Sequence, residues 1–144
     1  MDKYLTANAT FSKFSRNYME LKKGLPIRPS EMGVLNIITQ TPGTHTSVML
    51  AQMLGVSKPM VAAHLASLAG KGYIIKEQSA EDKRTYNIIP TKKAMALVES
   101  AKQEMDGHLR RLIDAMGQDE FDMLVYLVEK ANSVLKKESR NGSQ

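Results

Sequence analysis

Between residues 30 and 73 the chain is interrupted by Pro42-Gly43, by Gly55 and by the pair Gly70 and Gly72. Gly and Pro break helices, so this stretch has room only for short ones. Each segment carries its own start signal. Ser30 is a good N-cap for a helix with Glu31 in its first turn and Val34, Leu35, Ile37 and Ile38 on its buried side. Thr46 or Ser47 caps the next, with Leu50, Ala51 and Leu54 inward, and Gly55 ends it. Ser57 caps the third. Pro59 sits in its first turn, where a missing N–H is tolerated, and Val61, Leu65 and Leu68 form its core stripe. Two short helices joined by Gly55-Val56, with the small Ala51 at their crossing, make a helix-turn-helix.

The flanking segments extend this pattern. Ile74 to Gln78 and Thr85 to Ile89 are β-like runs around the polar tip Ser79-Ala80-Glu81-Asp82-Lys83-Arg84, which predicts a hairpin. Pro90-Thr91 opens a long helix to about Met116, with Leu97, Ala101, Met105, Leu109, Leu112 and Met116 at helical spacing. Gly117 breaks it. A last helix follows, with Asp119 and Glu120 at its start, Phe121, Leu124, Val125, Val128, Ala131 and Leu135 on its apolar face, and Lys136-Lys137 towards its end. At the other terminus, residues 3–25 read as a helix that stops at Gly24-Leu25-Pro26. Its Tyr4, Ala7, Phe11, Phe14, Tyr18, Leu21 and Leu25 alternate spacings of three and four, an a/d seam. So narrow an aromatic stripe needs a partner helix, either from a second chain or from elsewhere in this one.

Charge is distributed unevenly. The chain of 144 residues has net charge +5, yet residues 1–93 carry net +7 and residues 94–144 net −2. Residues 32–76 contain Lys58, Lys71 and Lys76 and no Asp or Glu. A surface that meets a polyanion must be free of carboxylates, because like charge opposes phosphate. There are no Cys, which excludes disulfides, thiolate metal sites and a cysteine nucleophile and fits a reducing cytoplasm. His45, His64 and His108 are neither paired nor accompanied by Cys, so no metal site is expected. No phosphate-binding Gly loop, nucleophile–base spacing or paired carboxylates point to an enzyme, and no cofactor is implied. No apolar run approaches the ~20 residues of a membrane span, and Met1-Asp2-Lys3-Tyr4 is not followed by a signal-peptide core. The expectation is a cytoplasmic, nucleoid-associated protein without membrane contact. The ten Met are read chiefly as adaptable core filling, and otherwise as the lining of a loose ligand pocket.

Leu50-Ala51-x-x-Leu54-Gly55-Val56-Ser57, then Val61, Leu65, Leu68, Lys71-Gly72-Tyr73-Ile74, then Glu81-Asp82-Lys83-Arg84 and Pro90-Thr91, resembles the MarR family of bacterial transcription regulators. The most specific piece is Glu81-Asp82-x-Arg84. The resemblance implies a mainly α fold, a winged helix-turn-helix with a small β-hairpin wing, flanked by long N- and C-terminal dimerisation helices. It implies a homodimer whose first and last helices intertwine, with Tyr4, Phe11, Phe14, Tyr18, Leu124, Val128 and Leu135 in the seam. It places the Ser57 helix in the major groove of double-stranded DNA and the wing residues Asp82, Lys83 and Arg84 at the minor groove, Asp82 holding Arg84 in place. It also implies a small, often aromatic or anionic, effector between the dimerisation helices and the DNA lobe. Physically, a hairpin tip suits a narrow groove whose negative potential attracts guanidinium, although a solvated turn uses the same residue types.

The sequence departs from the family in its recognition helix, which has no Arg. With Val61, Leu65 and Leu68 inward, Pro59, Ala63, Ala66 and Ser67 point away, with Met60 and Ala62 beside them. Bidentate guanine readout by Arg is unavailable there. What remains is apolar contact with thymine methyls from Pro59, Met60, Ala62 and Ala63, plus Ser57, Lys58 and Ser67. An A/T-rich half-site follows. Thr46 and Ser47, at a helix N-terminus, are candidate phosphate contacts or merely caps. His64, at the flank of the core stripe, is a packing or phosphate residue. Some relatives sense zinc with a His-x-x-x-His pair on the long helix, but here His108 is followed at i+4 by Leu112. The expected organisation is an N-terminal dimerisation helix over 1–29, a DNA-binding domain over 30–91, C-terminal dimerisation helices over 92–138 and a polar tail over 139–144. The expected function is an effector-relieved repressor on a pseudopalindromic operator, the alternative being a winged-helix protein-interaction module that does not bind DNA.

Overall fold

The computed structural model describes residues 2–142, with side chains as far as residue 136. Its elements are α1 (Lys3–Glu20), α2 (Pro29–Gln40), α3 (Ser47–Leu54), α4 (Lys58–Gly70), β1 (Ile74–Gln78), β2 (Tyr86–Pro90), α5 (Lys92–Met116) and α6 (Gln118–Gly142). This is the mainly α, winged helix-turn-helix order. The chain divides into two compact units, residues 1–103 and 104–144.

In the first unit, one core is assembled from segments distant in sequence. Val34 and Leu35 of α2, Leu50 of α3, Val61, Leu65 and Leu68 of α4, Ile74 and Ile88 of the hairpin, and Ala94 and Val98 of α5 are all buried in one cluster. Each large aliphatic side chain so buried contributes roughly 1.5–3 kcal/mol. The hairpin is antiparallel, with Ile74 opposite Pro90 and Gln78 opposite Tyr86. A third segment joins it. His45, just before α3, pairs with Ile88, whose N–H donates to the His45 carbonyl at 2.8 Å. His45 is thereby buried, a role its spacing did not suggest.

Several boundaries differ from expectation. α1 ends at Glu20, not near residue 25. Leu21, Lys22 and Lys23 donate to carbonyls three residues back, which tightens the chain into turns, and Gly24 stops it at φ +90°. α2 is capped at Arg28 instead of Ser30. Pro29 supplies the first helical position, and the Glu31 carboxylate accepts the Arg28 N–H at 3.0 Å. The second strand starts at Tyr86 because Thr85 is held in the turn, its N–H donating to the Asp82 carbonyl at 3.0 Å.

α1 has no buried residue, and Tyr4, Phe11 and Phe14 are exposed, with Phe14 and Tyr18 stacked at 6.0 Å. In the second unit, no described side chain of α6 is buried. Tyr126, Leu127, Val128, Val134 and Leu135 all face outward. The α6 backbone is helical through Gly142, so the expected tail over 139–144 begins within the helix. Its side chains, and residues 143–144 entirely, lie outside the described residues.

Candidate nucleic-acid interface

Capping and one glycine set the geometry of the two central helices. The Thr46 hydroxyl accepts the Met49 N–H at 3.3 Å, and the Ser57 hydroxyl accepts the Met60 N–H at 3.3 Å. Of the two possible caps for α3, Thr46 is the one used, and Ser47 is its first helical residue. Gly55 adopts φ +67°, the left-handed conformation that favours Gly. The chain turns by 114° between α3 and α4, within the ~90–120° typical of a helix-turn-helix.

One face of α4 is open. Lys58, Pro59, Met60, Ala62, Ala63 and Ala66 are exposed, while Val61, Leu65 and Leu68 fill the core. The exposed face is apolar and low-relief, with Lys58 at its N-terminal edge. Two residues at the margin of this face are less open. His64 is half-buried at its flank. Ser67 is also half-buried, and its hydroxyl lies against the Glu31 carboxylate. It does not point away from the core as its spacing suggested, because the C-terminal half of α4 packs on α2.

Glu31 is the functional neighbour that sequence reasoning passed over. It is 1% exposed, and Lys71 at the end of α4 reaches its Oε1 at 3.5 Å. Its Oε2 makes no full hydrogen bond. Burial pushes this carboxyl's pKa up, but Ser67, the Arg28 N–H and the Lys71 charge outweigh burial and hold it below its ordinary value. The available signal was a Glu two residues after Pro29, a helix-start pattern, but nothing local named Ser67 or Lys71. A second set of bonds fixes the same end of α4. Lys93 donates to the Lys71 carbonyl at 2.7 Å and lies 4.6 Å from the Tyr73 ring centre, and the Thr91 hydroxyl donates to the Gly72 carbonyl at 2.8 Å.

At the hairpin tip, Asp82 organises the turn. Its Oδ1 accepts both the Arg84 backbone N–H at 3.0 Å and the Arg84 Nε–H at 3.2 Å, and its Oδ2 accepts from the Thr85 hydroxyl at 3.4 Å. The bonds from Arg84, backbone first and side chain second, hold the Asp82 carboxyl below the usual carboxylate range, with Thr85 adding to them against a small opposing effect of burial. Gln78 donates to the Lys83 carbonyl at 2.7 Å, pinning the far side of the turn. The Arg84 side chain remains 91% exposed. A guanidinium is thus pre-oriented yet almost fully available. Lys83 beside it is exposed as well.

Among the described residues, no three His, Cys, Asp or Glu gather as a metal-binding group. No single described helix is long and apolar enough to cross a membrane.

The family model for the MarR family matches residues 24–85, from the turn after α1 to the end of the wing tip. A MarR protein from Peptoclostridium difficile is 27% identical and superposes with a TM-score of 0.72, covering 95% of this chain and 90% of that one. Over residues 24–85 the chain is similar to the MarR family. Members of that family are transcription regulators, not enzymes. The same fold is found in Streptococcus pneumoniae FabT, solved in complex with DNA. It is 21% identical, with a TM-score of 0.81 over 94% of this chain and 99% of that one. It is also found in the transcriptional repressor CouR, solved on a 23-mer DNA duplex. That chain is 24% identical, with a TM-score of 0.73 over 92% of each chain.

Proposed function

We propose that this chain is a MarR-family repressor that binds an A/T-rich, pseudopalindromic operator as a homodimer and is released by a small-molecule effector. The observation that carries the reading is Arg84, held at the wing tip by Asp82 with its guanidinium exposed. A narrow A/T minor groove has enhanced negative potential, and an Arg fixed in one geometry loses little freedom on entering it. Lys83 adds positive charge at the tip.

In this reading α4 enters the major groove. Ser57, Lys58, Pro59, Met60, Ala62 and Ala63 face the bases, and thymine methyls are the partners that an apolar, Arg-free helix selects. Ser67 joins them only at the edge of this face, half-buried and close to the Glu31 carboxylate. Thr46, Ser47 and His64 flank the helix-turn-helix, where N–H groups and a ring nitrogen suit phosphate. The DNA-bound states of FabT and CouR support duplex binding by this backbone.

The dimer is supported by apolar surface that the single chain leaves open, from Tyr4, Phe11, Phe14 and Tyr18 on α1 and from Leu124, Val128 and Leu135 on α6. The division at residues 29/30 and 91/92 into dimerisation and DNA-binding parts belongs to this proposal. Two-fold symmetry places half-sites about one turn, ~34–36 Å, apart. Repression needs only occupancy of a promoter. An effector would act by favouring a dimer whose two α4 helices are wrongly spaced for the operator.

The test is a fluorescence-anisotropy titration against the gene's own upstream DNA and a scrambled duplex at two salt concentrations. Selective, salt-dependent binding is expected. Equal binding to both duplexes removes the sequence-specific reading, and no binding to either returns the protein-interaction module.

A further inference from the structure

We propose that Met60 is a reversible oxidation site that lowers operator affinity. The inference rests on the proposed placement of α4 in the major groove. With no Cys and no Trp in the chain, thioethers are its most readily oxidised side chains. The ten Met are not equivalent. Met32 lies in the core at 7% exposure, whereas Met60 is 49% exposed. Its position is also unusual. It is the third residue of α4, and its backbone N–H is the one that the Ser57 cap accepts. The first turn of α4 therefore holds the Met60 backbone in place while the residue stays about half exposed.

The reactant class is a two-electron oxygen donor, a peroxide. The Met60 sulfur attacks one peroxide oxygen, the O–O bond breaks and an S–O bond forms. With hydrogen peroxide, the second oxygen leaves as hydroxide and takes the proton from the new S–OH group, giving water. Sulfur is oxidised by two electrons and the peroxide is reduced by two. The product sulfoxide is polar and carries a strong acceptor oxygen, so the apolar contact with a thymine methyl is lost. The cap bond is a backbone bond and survives, so the helix remains while its chemistry at the groove changes. Met49 and Met53 on α3 are exposed too. They serve as internal comparisons, because the proposed groove contacts do not include them.

The experiment treats the whole 144-residue chain with hydrogen peroxide. Sulfoxide is mapped peptide by peptide by mass spectrometry, the fold is checked by circular dichroism, and operator affinity is read by anisotropy. The expected result is an affinity loss of about tenfold, the scale of one mismatched base pair. The loss should track the oxidised fraction at Met60, not that at Met49 or Met53, and should reverse on treatment with the two methionine sulfoxide reductases. In Met60→Leu, whatever its basal affinity, the ratio of treated to untreated Kd should be near one. Unchanged affinity with Met60 fully oxidised overturns the inference, as does an equal loss in Met60→Leu. If untreated protein does not prefer operator to scrambled DNA, the placement of α4 fails first, and this inference fails with it.

Discussion

α4 spans 13 residues and buries Val61, Leu65 and Leu68 inside its own chain, whereas α6 spans 25 and buries none of its described side chains. α1 resembles α6 in this respect. Both terminal helices carry apolar residues at helical spacing, as α4 does. The difference lies in the supply of partners. Around α4, the chain brings α2, α3, the hairpin and the start of α5 into one cluster. Among the described residues, the outward side chains of α1 and those of α6 stay unburied. An amphipathic helix gains stability mainly by covering its apolar face, so these two helices are incomplete as single-chain objects. The helix-turn-helix lobe covers its apolar faces within the chain, and the described parts of the terminal helices do not.

The sharpest separation of the two regions comes from truncating a Leu in each. Leu65→Ala, at 2% exposure, should cost about 2–5 kcal/mol and lower Tm equally at every protein concentration. Leu135→Ala, at 60% exposure, should act only through the dimer, with a loss that grows on dilution. Equal, concentration-independent losses at the two sites would erase the distinction.

Charging the open face tests the same contrast through function. Val128→Glu with Leu135→Glu should reduce the mass in light scattering from twice 16.0 kDa to 16.0 kDa. Operator affinity should fall by about 100-fold, since two linked half-sites become two separate ones. Far-UV circular dichroism should still show a folded helix-turn-helix lobe.

Within the lobe, the wing should behave as surface and not as core. Arg84→Ala should weaken operator binding about tenfold and lower the salt slope by about one per protomer, with Tm unchanged. Asp82→Ala should weaken it less, because Arg84 remains and loses only its orientation. A drop in Tm for Arg84→Ala would mean that the tip is structural.

The smallest effect is expected at Glu31. Its folded-state pKa lies below the ordinary 4.5 of the unfolded chain. Its contribution to stability is therefore complete above that value and is lost as pH falls through the folded one. Glu31→Gln should be less stable than the parent at neutral pH, and the gap should narrow as the pH is taken below 4.5. A gap that stays constant down to acid pH would show that the charge of Glu31 is irrelevant to anchoring α4.

Much of this fold is legible in local chemistry. Thr46 and Ser57 are caps because a hydroxyl reaches an N–H three residues on, and Gly55 turns the chain because it tolerates φ +67°. Asp82 and Arg84 find each other because they are two residues apart in a tight turn. Sequence and structure part where two local signals compete or where a partner comes from far away. Ser30 was a plausible cap, but Pro29 and the Glu31 carboxylate moved the helix start to Arg28. Ser67 had the spacing of an outward residue, yet α2 lies against that end of α4 and leaves it half-buried near Glu31.

What the amino-acid sequence determined by itself was the order of helices and strands, the carboxylate-free stretch over 32–76 and the clamped arginine of the wing. These depend on groups within a few residues of one another, whose geometry covalent connection already restricts. Only the tertiary structure decided that Glu31 would hold Lys71 across forty residues, that His45 would pair with Ile88, and that α1 and α6 would leave their apolar faces open. Such outcomes turn on which helix faces which. That is settled by the joint packing of the core and is not written in any one segment.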